Sequence, residues 1–134
     1  MREDLGLLLL RIWLSGSMFF GHGLSKVLNF SEKSATFPDP LGVGSTLSLA
    51  LAVFGEVVCP IAIALGLKTR WAAIPAAVTM FVAGVIHHAA DPWKTKELAI
   101  LYLGGFIAIG LLGSGRFSVD HFRKVAQAAK ANPS

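Results

Sequence analysis

The stretch from Leu5 to about Leu28 limits what this chain can become more than any other. It is long enough to cross a bilayer, yet it carries Arg11, Ser15, His22 and Lys26. At about 100° per residue these four, with Met18 and Ser25, fall in a sector roughly 100° wide. The remaining faces are Leu, Ile, Trp, Phe and Gly. Hydrocarbon does not solvate an ionisable stripe, so a spanning helix of this kind must turn the stripe toward protein or water. The rest of the chain is therefore expected to supply partners for Arg11, His22 and Lys26.

Composition agrees with a membrane setting. Of 134 residues, 54% are hydrophobic and 15% charged, against about 25% charged in soluble domains. The apolar residues come in blocks that match a crossing of about 20 residues. The net charge of +4 lies between those blocks, which suits a positive-inside topology and not a nucleic-acid partner. Cys59 is the one cysteine, so no disulfide forms within the chain, and an internal dithiol relay is excluded.

Punctuation along the chain predicts an all-α, integral membrane four-helix bundle with spans at about 5–28, 44–66, 71–88 and 97–113. The first block is too long for a signal peptide, contains Arg11 and lacks a small-x-small site, so it reads as an uncleaved span. Residues 29–43 form a polar connection, with Phe30 and Phe37 as interface anchors and Pro38-Asp39-Pro40 as a stiff turn. Pro75 is expected in the first turn of the third span, where a missing N–H costs little. Residues 118–129 predict a short amphipathic helix at the membrane surface, with a frayed polar tail as the alternative. With four spans the termini and the Lys68 turn share one side. Seven basic residues against three acidic ones lie there, and four against four lie opposite, so both termini are expected in the cytoplasm.

Glu56 stands near the middle of the second span, the costliest depth for a charge. Pro60 follows at i+4 and removes the normal helical donor to its carbonyl. Arg11 is about 9 Å in from the shared end and Glu56 about 15 Å, by helical rise. The sequence thus suggests an Arg11–Glu56 ion pair, which either fastens two helices or holds an acid near a proton route or a polar ligand. His22, Lys26, His87 and His88 emerge near the opposite end, with Asp91 four residues after His87. A His87–Asp91 hydrogen bond would fix the imidazole tautomer. His22 and His87 at matching depth suit the carbonyls of a quinone, a proton relay, or haem. No ExxH or HxxxH spacing supports a protein-bound metal. The alternative is that these are ordinary interfacial polar residues. Cys59 is expected to pack as a small apolar residue, and Tyr102 to seek a partner in the outer cavity or at the interface.

Taken together, Leu9-Leu10-Arg11-Ile12, Gly21-His22-Gly23 with Lys26, Phe54-Gly55-Glu56 with Cys59-Pro60, Leu67-Lys68-Thr69-Arg70, the histidine closing the third span and Leu112-Gly113-Ser114-Gly115-Arg116 resemble the DoxX family over roughly residues 5 to 120. The resemblance implies a small bacterial inner-membrane protein of four spans with a quinone- or quinol-linked redox role, serving beside soluble or membrane redox partners. It supplies no catalytic set, so His22, Lys26, His87, Arg11 and Glu56 rest on the helix-face argument as ligand or proton-relay candidates. The chain has no flavin or dinucleotide fingerprint, so electrons would come from a bound cofactor or a partner. The alternative function is a non-catalytic accessory subunit or anchor packed against a larger respiratory or photosynthetic complex, with self-association a further option. A transporter is disfavoured because no pair of broken helices is seen.

Overall fold

A computed structural model describes residues 1–133. Among them every regular element is helical, and four helices are long and apolar enough to cross a membrane: Arg2–Leu28, Ser45–Leu65, Thr69–His87 and Trp93–Leu112. The chain is thus a multi-pass membrane protein. The spans run up and down in a ring, with the first beside the second and fourth and the third beside the same two. Asp4 Oδ1 accepts from the Arg116 backbone N–H at 3.2 Å, so the start of the first span and the exit of the fourth share one end of the bundle.

The predicted stripe turns inward as its chemistry requires. Arg11, Ser15 and Met18 are buried, His22 and Lys26 are partly so, and only Ser25 is exposed. Met18 packs with Cys59, Ile63, Ala73, Ala76, Met80, Phe106 and Ile109 in one apolar core. The many exposed Leu, Ile, Val, Phe and Trp side chains on the outer faces are what acyl chains solvate.

The helix ends follow from local chemistry. The second span closes at Gly66, whose φ of 72° an L side chain tolerates poorly. Leu67 N–H reaches Ala62 O at 2.8 Å and Gly66 N–H reaches Ile63 O at 3.0 Å, the paired bonds of a Schellman closure. The fourth helix starts at Trp93 after Pro92, four residues earlier than the hydrophobic pattern suggests, because Pro92 is an acceptable residue before a first turn. The third starts at Thr69, which places Pro75 inside the helix and not in its first turn. The C-terminal segment is a helix, Val119–Ala131, capped by Ser118 Oγ accepting from His121 N–H at 3.2 Å. It is therefore not a frayed tail.

Candidate functional site

Three of the four spans widen to π-helical geometry, and the first two of these segments touch. The segments are Phe19–Gly23, Phe54–Val58 and Val82–His87. Each is closed by an i→i−5 bond, from Leu24 N–H to Phe19 O, from Cys59 N–H to Phe54 O and from His88 N–H to Ala83 O. In the second span the cause is legible: Pro60 has no N–H and its ring crowds the carbonyl four residues back, so the turn bows outward. Such single π turns recur at functional sites, and these three carry His22, Glu56 and His87.

Glycine brings the first two segments together. A Cβ at Gly23 would lie 2.5 Å from Glu56 O and 2.6 Å from Val57 Cγ2, so only hydrogen fits. On the other side Gly55 abuts the Thr79 side chain, whose hydroxyl donates to Pro75 O at 2.8 Å. That bond runs back to the carbonyl four residues earlier in the same helix. Glu56 is consequently wedged between the first and third spans, 6% exposed.

Its partner is Lys26. The ammonium Nζ lies 2.7 Å from Glu56 Oε2, with Lys26 19% exposed. The approach is off the line of a good hydrogen bond, and Oε2 has no hydrogen-bond partner. The aligned donation from Lys26 goes instead to His22 O at 3.3 Å. The contact is an ion pair.

The expected Arg11–Glu56 pair is not formed. Antiparallel register sets Gly23 opposite Glu56, and Arg11 lies twelve residues away from Gly23, about 18 Å of helix and out of reach. Arg11, 1% exposed, donates from Nε to Ile63 O at 2.9 Å and from Nη2 to Ala64 O at 2.9 Å. Its Nη1 donates to Ser114 O at 2.6 Å and Phe117 O at 3.0 Å. The guanidinium fork thus ties carbonyls at the end of the second span to carbonyls of the connection that follows the fourth.

Above the ion pair is a cavity of about 390 Å³, within the range of small-molecule sites. Lys26 and Glu56 form its polar floor, Leu51 and Ala52 continue the wall of the second span, and Val78, Thr79 and Ala83 form that of the third. The connection closes it: Phe37, Pro38, Pro40 and Leu41 line the far side, and His87 and His88 stand at the rim. Asp39 holds this cover in place. Its carboxylate accepts from Val43 N–H, Gly44 N–H and Ser48 Oγ, each at 2.8 Å. The Gly44 backbone bond first, and the Ser48 hydroxyl after it, hold Asp39 below the usual carboxylate range. The sequence read residues 37–41 only as an interface turn; an Asp followed by Gly-Ser-Thr at the next helix start is the signal that could have exposed the clamp.

The histidines divide. His87 lines the cavity, but the bond to Asp91 comes from His88, with Nδ1 2.6 Å from Asp91 Oδ2. The helix ends at His87, and residues 88–91 form a turn with Asp91 N–H on His88 O at 3.1 Å, so an i+4 helical relation no longer applies. His87 and His88 rings meet with centroids 4.5 Å apart. His22 is not among the lining residues; its ring meets Tyr102 edge-on at 5.7 Å. His22 and His87 therefore do not line one common space. Tyr102 is buried against His22 and Phe106 and does not line the cavity either.

A family model described as DoxX matches residues 6–89. The matched stretch holds the first three spans, and with them the ion pair, all three π turns and the cover of the cavity. No curated protein and no solved structure matches the chain.

Proposed function

This chain belongs to the DoxX family, and from that premise we propose that it binds the head group of a quinone or quinol in the cavity above Lys26 and Glu56, in a redox-linked role. The observation that carries the reading is the Lys26–Glu56 ion pair, 2.7 Å apart, at the floor of a mostly apolar space. A ligand suited to it is apolar over most of its surface and carries an oxygen at one end that can both accept and donate. Lys26 would donate to a carbonyl oxygen, and Glu56 would accept from a hydroxyl. His87 at the rim would exchange protons with water. Oxidation of a quinol releases two electrons and two protons; the protons have this route, and the electrons pass to a partner redox protein. On this reading Arg11 and His22 stand outside the ligand site. The setting proposed is the bacterial inner membrane, with both termini cytoplasmic, as the basic residues on that side favour.

The test is extraction of the purified protein for bound quinone, followed by equilibrium binding of a short-chain ubiquinone analogue. Co-purified quinone, lost in Glu56→Gln and Lys26→Met but kept in His22→Ala, supports the proposal. Undiminished binding in both cavity variants refutes it. Absence of quinone together with stoichiometric capture of a larger membrane complex would assign the chain to the accessory role instead.

A further inference from the structure

The opposite end of the bundle holds a second site of different chemistry. Where the third span begins, the fourth ends and the C-terminal helix crosses, a groove of about 550 Å³ opens. Lys68, Arg70, Arg123 and Lys124 line it against a single carboxylate, Asp120. Among the described residues none of these four cations has a carboxylate within 4.0 Å. Arg70 lies across the exit of the fourth span, where a Cβ on Gly113 would meet its Nε at 3.0 Å. The groove is also lined by Thr69, 1% exposed, whose hydroxyl has no hydrogen-bond partner. A buried hydroxyl left unpaired is costly, and one set among unpaired cations calls for an anion that accepts from it.

The surroundings narrow the anion. Trp71 and Leu112 line the same groove, 75% and 60% exposed, at the ends of spanning helices. Phe122 and Val125 are exposed on the neighbouring C-terminal helix, an amphipathic segment of the kind that rests on a bilayer surface. The ligand that fits is therefore charged at one end and apolar beyond it. We infer that this groove binds the phosphate head group of an anionic phospholipid, with Thr69, Arg70, Arg123 and Lys124 on the phosphate and the acyl chains running past Trp71 and Leu112. Basic recesses between spans are suited to such head groups. A free phosphate ion would use the cations but leave the apolar edge without purpose.

The experiment is native mass spectrometry of the full chain in detergent, titrated separately with dioleoyl phosphatidylglycerol, dioleoyl phosphatidylcholine and inorganic phosphate. The site predicts one saturable phosphatidylglycerol per chain, bound at least about tenfold more tightly than phosphatidylcholine. An Arg123→Gln/Lys124→Gln double variant should lose about tenfold or more of that affinity, while Lys94→Gln/Lys96→Gln, at the other end of the bundle, should lose none. Thr69→Val removes an unpartnered hydroxyl, so the fold should keep its thermal midpoint while phosphatidylglycerol affinity falls. Equal binding of the two lipids overturns the inference. So does an equal loss in both double variants, unchanged affinity in Thr69→Val, or inorganic phosphate binding as tightly as the lipid.

Discussion

Lys26 Nζ stands 2.7 Å from Glu56 Oε2, and the two charges come from spans that touch because residue 23 is glycine. Removing one partner leaves the other charge in a poorly hydrated place. For fully buried pairs that costs roughly 3–5 kcal/mol; with Lys26 19% exposed we expect about 2 kcal/mol from Glu56→Gln or Lys26→Met. The Lys26→Met/Glu56→Gln double variant leaves no lone charge and should regain most of the loss. Unfolding in mixed micelles, read by circular dichroism, measures the cycle. Strict additivity of the two single losses would show that the pair is not coupled.

Arg11 predicts a different pattern. Its four donations to Ile63, Ala64, Ser114 and Phe117 carbonyls depend on a planar fork, which an ammonium does not reproduce. Arg11→Lys should therefore cost about 3 kcal/mol, the order of one or two charged hydrogen bonds lost with their acceptors left buried. Affinity for a quinone analogue, measured on the folded fraction, should stay within about twofold, because no part of Arg11 lines the cavity. A loss of binding larger than the loss of fold would place Arg11 back in the site.

The contrast between these two residues marks where sequence reading stops. That Arg11, Ser15 and Met18 face inward is legible, since the bilayer penalises every other orientation. That Arg11 serves carbonyls is not, because backbone carbonyls are present in every sequence and carry no letter of their own. Glu56 is legible as an anomaly, and Pro60 as a disturbance beside it. Its partner is not, because the close approach at Gly23 sets which residue of the first span meets Glu56, and helical rise counted from the span ends does not reveal that register. At the end of the third span, termination of the helix at His87 gives Asp91 to His88 and not His87. The cover over the cavity is hidden for another reason: Phe37 to Leu41 have no periodicity, and only the bonds of Asp39 show where they lie.

Gly23 offers a test of the contact itself. A methyl group there would overlap Glu56 O and Val57 Cγ2, at 2.5 and 2.6 Å, and neither backbone can yield without moving the ion pair. Gly23→Ala should destabilise by about 1–3 kcal/mol, the usual range for overpacking. It should also weaken ligand binding by displacing Glu56. A methyl group on Gly104, in the fourth span, would meet nothing within 4 Å, so Gly104→Ala should be neutral or stabilise by up to about 1 kcal/mol through helix propensity. Thermal unfolding of the two variants side by side checks both. Equal effects would mean that close approach of the first two spans is not what residue 23 provides.

Asp39 makes the cover over the cavity sensitive to acid. Donation from Gly44 N–H, and then from the Ser48 hydroxyl, favours its ionised form in the folded protein and lowers its pKa. A carboxyl whose folded pKa lies below its unfolded one, about 3.9, contributes stability that is fully present above that unfolded value. The contribution falls away as pH drops through the lower, folded value. The Val43 and Gly44 amides, which donate to Asp39 at 2.8 Å, should thus keep their protection from hydrogen exchange at neutral pH and lose it below about pH 4, relative to amides inside the second span. In Asp39→Asn the same amides should exchange faster at every pH, with no added step on acidification. Because Phe37, Pro38, Pro40 and Leu41 line the cavity beside Asp39, the variant should release a bound quinone analogue faster than the parent. A parent protein whose Val43 and Gly44 protection follows that of the helix interior through the acid range would show that Asp39 does not hold the cover.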